Sequence, residues 1–536
     1  MSINKGLDTD VVVAKFHQVG TVAETARFFD AHPNAIRYHL QKAGVKKPVV
    51  SGRKAKTVEE QRAPLPKTGV SRYLLTCAQN NTKVNSEFID NLEALAAHYG
   101  AKIKVSRITY NASAYTAQPA KPGSTTNATD ELWYDPRIVP YLDDTRTELA
   151  PGLVWCGETN ILPTAERPLR GFETYTGRKS GIFPHTKMAM DSVASGKHEP
   201  TKFNYTTGTC TQMSYIQRKA GQKAEHHHTY GALLVEVDAQ GRWFVRQINA
   251  ERSGRFYDVT LCVDKGNVTD GHQVEGINWG DIHEDQMEQM VRDLAFGKGG
   301  MLDVLRPKYQ FMHDVLSWSR RNHHDRKDPH KSFELHIKGQ EAVQEEVQGV
   351  SDFLSTESYR KWCETVVVDS NHDRAMSQWL READYKTDPV NAIYFLRCQL
   401  RKYESIAERD DNFHLVEWAC QQEGTPESVR FLREDESFII CADAHGGIEC
   451  GMHGHNGVDG ARGSPLGFAR MGRKSNTGHT HKAGILDGCY TAGTSSMMDL
   501  GYNRGPGSWS WSHIVTYANG KRAIYTMWNE AWRAEG

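Results

Sequence analysis

Apolar and polar positions follow different rhythms in different parts of this chain. Over the first 45 residues apolar positions recur at helical spacing in three short stretches. "DTDVVVAKFHQVG" has an acidic start and stops at Gly20. "TVAETARFFDAH" opens with Thr21 and has Glu24 three residues on, the spacing of a capping box. "PNAIRYHLQKAG" places Pro33 at a first helical position and Gly44 as a stop. From residue 71 the rhythm alternates between strand and helix. "SRYLLTCAQ" predicts a strand, "NSEFIDNLEALAAHYG" a helix with a glycine stop, and "AKIKVSRITYN" a second strand. "YGALLVEVDAQGRWFVRQINA" reads as a β-hairpin turning around "DAQG". The pattern as a whole predicts an α/β (α+β) chain.

Charge refines this picture at the N-terminus. Residues 1–70 hold twelve Lys/Arg against six Asp/Glu, in a chain whose formal net charge is −1. Any attraction for nucleic acid must therefore come from local patches. The three short helices resemble a helix-turn-helix, in which the later helix lies in the major groove. Its exposed candidates are Asn34, Arg37, Tyr38, Gln41 and Lys42. Residues 46–70, rich in Lys, Arg and Pro, read as a basic linker. A small three-helix bundle for protein contacts and a merely solvated linker are the plain alternatives.

Composition excludes two classes. No apolar run reaches the ~20 residues of a membrane span, and "MSINKGLDTD" has no secretory pattern. The ten cysteines form no CxxC pair and read as reduced thiols of a cytoplasmic chain. In "EHHHTYG", His226, His227 and His228 cannot all point one way from a strand. A packing and hydrogen-bonding role is favoured there over a metal site.

The C-terminal half carries the chemistry. Five stretches follow strand-like runs: Asp281 and His283 in "NWGDIHEDQ", Asp314 in "YQFMHDVLSW", and Asn371, His372 and Asp373 in "VVVDSNHDR". His453 and His455 follow in "GIECGMHGHNG", and His479 and His481 in "TGHTH". Each alone is a commonplace polar turn. In this order they resemble the motif series of the calcineurin-like metallophosphoesterases, a superfamily that includes nucleases. The resemblance covers about residues 276–500. It implies a four-layer sandwich of two β-sheets flanked by helices, with ligands on loops at strand ends. It also implies the roles. Asp281, His283 and His481 would hold one divalent ion, and Asn371, His453 and His479 a second. Asp314 would bridge the two. His455 is the less secure ligand of its pair. His372 would act at the scissile phosphate as acid or charge stabiliser, oriented by Asp373.

Such chemistry needs these residue types. Two divalent ions about 3.5–4 Å apart stabilise both the attacking and leaving oxygens of an in-line displacement. A bridging carboxylate holds them together, and a mixed N/O ligand set suits Mn²⁺, Fe²⁺ or Zn²⁺. The resemblance favours Mn²⁺, with Mg²⁺ also open. Two departures stand out: His313 and Ser370 occupy places where the family has glycine, and the second aspartate of the second motif is missing.

Two basic stretches lie beside these motifs. "SRRNHHDRKDPH" offers Asn322, His323, His324, Arg326 and Lys327, besides Arg320 and Arg321, to a phosphate backbone. "GARGSPLGFARMGRKSNTGHTH" leads Arg462, Arg470, Arg473 and Lys474 to the last histidine pair. The expected organisation is a helix-turn-helix at 1–45, a linker at 46–70, a mixed α/β accessory domain at 71–275 and a metallophosphoesterase domain at 276–536. The expected activity is a metal-dependent DNA nuclease. Domain order resembles that of phage nucleases that degrade host DNA, which would place it in the host cytoplasm. A phosphatase or small-molecule phosphodiesterase, or a DNA-binding regulator with a weakened core, are the alternatives. The expected partners are DNA and, from the size of the accessory region, further copies of the chain, with no membrane.

Overall fold

The computed structural model describes residues 6–19, 22–45, 59–110, 133–322, 325, 328–444 and 446–534. Its first unit is three helices, Thr9–Val19, Val22–Phe28 and Pro33–Lys42. They close over Val12, Phe16, Ala26, Ile36 and Leu40. Pro33 takes the start of the third helix, and His32 caps it by accepting from the Asn34 N–H. Asn34, Arg37, Tyr38, Gln41 and Lys42 all stand exposed on that helix. Thr21 of the expected capping box and residues 46–58 of the expected linker lie outside the described residues. The end of that linker is a strand instead. Glu60–Arg62 pairs in parallel with Arg146–Ala150, because Glu60 is held by Arg146 at 2.9 Å and Lys179 at 2.6 Å.

The remainder is mixed α/β, built on sheets of eleven, six, four and three strands. The six-stranded sheet runs Arg430–Phe431, Glu364–Val368, Tyr309–His313, Gly276–Asn278, Ser512–Thr516 and Arg522–Thr526. The first four strands are parallel, and the C-terminal hairpin adds antiparallel to them. Alternate side chains of these strands serve opposite faces, as the period of two requires. Met312, Val367, Val515 and Tyr525 join a core with the helices Gln289–Phe296, Val343–Asp352, Asp373–Glu382 and Leu415–Gln422. Phe311, Val366 and Val368 face the other way, onto Ile440, Ile448 and Cys450 of the second sheet. Burial on both faces explains the unbroken apolar run "TVVV".

The second sheet has eleven strands and is continuous across residue 275. Strands from 60–206 occupy one end and strands from 439–491 the other. They meet where Met190–Val193 pairs antiparallel with Gly484–Leu486. A shared core (Leu153, Trp155, Ile182 and Tyr205 with Ile485, Tyr490, Ile514 and Ile524) binds the two ends. The segments expected as separate domains thus share one sheet and one core.

The four-stranded sheet contains the strand, helix, strand unit and the hairpin read from the sequence. Val70–Gln79 and Lys102–Ile108 are parallel, and Gly231–Asp238 and Trp243–Asn249 antiparallel. The helix Ser86–Tyr99 covers its outer face, capped by Asn85 and ended by Gly100 in the left-handed region. The ten cysteines are free thiols. Among the described residues no helix is long and apolar enough to cross a membrane.

Candidate metal centre

Parallel strands end on one side, and that geometry gathers the polar residues. Gly276–Asn278, Tyr309–His313 and Glu364–Val368 point the same way, so Asp281, His283, Asp314, Asn371 and His372 all fall just past their carboxyl ends. This is the edge at which open α/β sheets bind ligands. In the second sheet Ile448–Glu449 and Lys474–Thr477 are also parallel, and His453, His479 and His481 follow them. Backbone hydrogen bonds fasten the loops together: Ile282 N to His313 O, His283 N to Asp314 O, and Gly478 N to His453 O, each 2.8 Å.

Asp281, His283, Asp314 and His481 are buried, with a ligand atom from each within 4.8 Å of the others. His481 Nε2 lies 3.0 Å from Asp281 Oδ2, and His283 Nε2 lies 3.2 Å from His481 Nε2. A second group adjoins the first. His453 Nε2 is 3.3 Å from Asp314 Oδ2 and 3.1 Å from Asn371 Oδ1. His479 Nδ1 is 3.1 Å from the same Asn371 oxygen. All seven expected ligands therefore converge. His455 stands farther out, its ring 5.4 Å from that of His453.

The backbone here is held in unusual conformations. His283, Asp314, His479 and His481 have φ of 46°, 47°, 71° and 54°. Side-chain-bearing residues seldom adopt this region, and such strain concentrates at functional sites. Gly478 is required by contact: a Cβ there would stand 2.2 Å from Asp281 Oδ1.

The electrostatics fit a cation. Two carboxylates are buried here, at 0 % and 1 % exposure, and buried charge needs a partner. Burial raises the Asp281 carboxyl, but His453 and His481 outweigh it and bring it to about 2. Asp314 is likewise held well below the ordinary carboxylate range, against burial, chiefly by His453 and His372. His453 is lifted to about 9: burial opposes this, and Asp314 and Asp281 overcome it. Burial, then His372, pushes His283 down to about 3. His283 Nδ1, His481 Nδ1 and Asp314 Oδ1 are buried with no hydrogen-bond partner. Two imidazole nitrogens 3.2 Å apart share one proton at best, so their lone pairs beside paired carboxylates form a natural donor set for a divalent ion.

His372 sits beside this cluster, its ring 4.7 Å from that of His283. Its Nδ1–H donates to the Ser317 carbonyl at 2.8 Å. The expected orientation by Asp373 is not what the fold provides. Asp373 accepts from Ser370 Oγ at 2.8 Å and from Leu316 N at 3.3 Å. It begins the helix Asp373–Glu382, and its carboxyl is raised to about 7 by burial and then by Asp314. Asp373 thus props the turn, and Ser317 holds the ring. Ser317 Oγ in turn donates to Asp285.

The residues offered to DNA fare differently. Arg320 pairs with Glu345 and Arg321 with Asp388, both at 2.6 Å, so these cations are committed within the fold. Asn322 is half-buried, and His323, His324, Arg326 and Lys327 lie outside the described residues. Arg462, Arg470 and Arg473 are exposed, whereas Lys474 is half-buried at the start of a strand. Arg37 and Lys42 are exposed on the third helix, with Arg37 Nη1 donating to Asn34 at 2.7 Å.

Ser317 and Trp509 left no signal in the sequence. A carbonyl contact leaves no mark in side-chain identity. Trp509, whose ring lies 4.2 Å from that of His481, is 28 residues away in sequence.

No protein-family profile and no solved structure matches the chain. It is 38% identical over 512 residues to Protein A1 of Escherichia phage T5, a match spanning 93% of this chain and 88% of that protein.

Proposed function

The chain belongs to the family of Protein A1 of Escherichia phage T5, and from that premise we propose a phage-encoded, metal-dependent deoxyribonuclease of the calcineurin-like metallophosphoesterase type. The observation that carries the reading is the convergence of Asp281, His283, Asp314, Asn371, His453, His479 and His481 from five loops into one cluster, buried but for the half-buried Asn371 and His479. Helices on one face of the six-stranded sheet and a second sheet on the other support the four-layer arrangement.

Asp281, His283 and His481 would hold one divalent cation, and Asn371, His453 and His479 another, with Asp314 between them. Mn²⁺ is the favoured ion; Mg²⁺, Fe²⁺ and Zn²⁺ remain open. When bound, such a pair supplies positive charge to both oxygens of an in-line displacement at phosphorus. The low carboxyl values keep Asp281 and Asp314 ionised as anionic donors, and His283 stays neutral. A carbonyl only accepts, so the Ser317 contact fixes the His372 proton on Nδ1. That leaves His372 Nε2 free to face substrate and, when the ring is protonated, to donate to the departing oxygen. The exposed face of the third helix and the exposed Arg470 and Arg473 suit a phosphate backbone.

The test is a gel assay. Metal-stripped protein meets circular and linear plasmid DNA with Mn²⁺, Mg²⁺ or chelator, beside Asn371→Ala and His372→Ala. Degradation with Mn²⁺ that both variants lose is the expected result. Intact DNA together with hydrolysis of a simple phosphate ester would replace this reading with a small-molecule phosphoesterase.

A further inference from the structure

The segment 498–509 brings two aromatic rings to the candidate metal centre. Trp509 stands edge-on to His481 at 4.2 Å between centroids. Tyr502 packs against Trp509 at 5.9 Å, in an edge-to-face contact. Tyr502 is 61 % exposed, a large apolar surface left open beside a polar, charged centre. It is close enough to feel that centre. Partial desolvation, and after it the negative charges of Asp314 and Asp281, lift the phenol above its ordinary value.

The segment is built to hold these rings in place. Asn503 Oδ1 accepts from Leu500 N at 3.0 Å, and Asn503 Nδ2 donates to Met498 O at 2.9 Å. Lys197 Nζ donates to Asn503 O at 2.6 Å. Ser195 and Gly507 form a bridge, and Thr201 Oγ donates to Trp509 O. Ser510 N donates to His481 O at 3.2 Å, tying the segment to the candidate ligand. Arg504, two residues from Tyr502, is exposed.

An open aromatic face with a nearby cation, beside a site suited to a phosphate diester, matches how single strands are held: bases stack on rings while the backbone follows positive charge. A paired base keeps both faces inside its duplex and cannot use such a shelf. We propose that Tyr502, braced edge-to-face by Trp509, forms a stacking shelf for one unpaired base next to the scissile phosphate, so that single-stranded or locally opened DNA is the preferred substrate. This rests on the phosphodiesterase reading above.

The test uses the full chain and three proteins: wild type, Tyr502→Ala and Tyr502→Phe. A fluorescein-labelled single-stranded 12-mer and its duplex are titrated in chelator, with anisotropy as the readout. Cleavage of both is then followed with Mn²⁺. The shelf predicts that Tyr502→Ala binds the single strand about tenfold more weakly. It also predicts that duplex binding is unchanged and that Tyr502→Phe restores the wild-type value. Because Tyr502 is exposed, its removal should leave the melting temperature in place. Equal weakening toward both DNAs, no weakening, or failure of the phenylalanine to restore binding would each overturn the shelf. Loss of all DNA cleavage in the wild type would overturn the nuclease reading instead, which keeps the two failures apart.

Discussion

Two histidine-rich clusters in this molecule look alike in sequence and differ in how their ring nitrogens are used. Around His226–His228 each described contact closes within the protein. His228 Nε2–H donates to Thr211 O at 3.0 Å, and Nδ1 accepts from the Tyr215 hydroxyl at 2.7 Å. His227 lies 3.3 Å from Asp487, which also pairs with Lys187. Burial pushes His228 down to about 4 against the Thr211 carbonyl, so it is a neutral packing group. Around His479–His481 the opposite holds. His283 Nε2 and His481 Nε2 face each other at 3.2 Å, and His481 Nε2 faces Asp281 Oδ2 at 3.0 Å. A run of histidines therefore says little; lone pairs that the fold leaves to converge on a common point say much more.

The sharpest way to break this contrast is to remove a carboxylate. Asp281→Ala should lower kcat by about 10³-fold, on the order of 4 kcal/mol of transition-state stabilisation. Steady-state cleavage of a labelled oligonucleotide would measure it, and near-normal turnover would erase the distinction. His372→Ala should cost about 10²–10⁴-fold in kcat, with binding of Mn²⁺ retained, because the role proposed for this ring is on substrate rather than on the cation. Calorimetry beside kinetics separates those two effects. In the other cluster, His228→Ala should leave turnover unchanged and remove about 1–3 kcal/mol of stability by stranding Tyr215 and Thr211. A denaturant melt reads that loss, and an activity defect at full stability would contradict it.

The smallest expected effect concerns Glu346, buried behind the Ser317 loop. It accepts from Ser319 N at 3.1 Å and Arg320 N at 3.3 Å. Burial, and then Asp285, pushes its carboxyl up to about 8. The folded protein thus holds a proton that the unfolded chain, near the ordinary value of 4.5, has released. The resulting stabilisation is full below about pH 4.5 and fades as pH rises toward about 8. Glu346→Gln should flatten the fall in melting temperature between pH 5 and 8.5 without altering kcat. An unchanged slope would show that another group carries it.

Much of the candidate site was legible because its residues sit in short local motifs, each just past a strand. The Asp281–His283 and His479–His481 pairs could be read before any contact was known. The local elements of the four-stranded sheet were legible too, since Asn85, Gly100 and the alternation around "DAQG" are local signals. Long-range pairing was not. Nothing in "MDSV" or "GIL" states that these strands join the two halves into one sheet. The neutralisation of Arg320 and Arg321 also depends on residues 25 and 67 positions away. The hold on His372 is a main-chain carbonyl, which any residue at position 317 would carry.

The proposed function requires that this cluster bind a pair of cations. Isothermal titration of Mn²⁺ into metal-stripped protein tests it most directly. Two ions per chain are expected in the wild type and one in Asn371→Ala, whose side chain belongs to one half of the cluster alone. Fewer than two ions in the wild type, or a count that Asn371→Ala leaves unchanged, would contradict it.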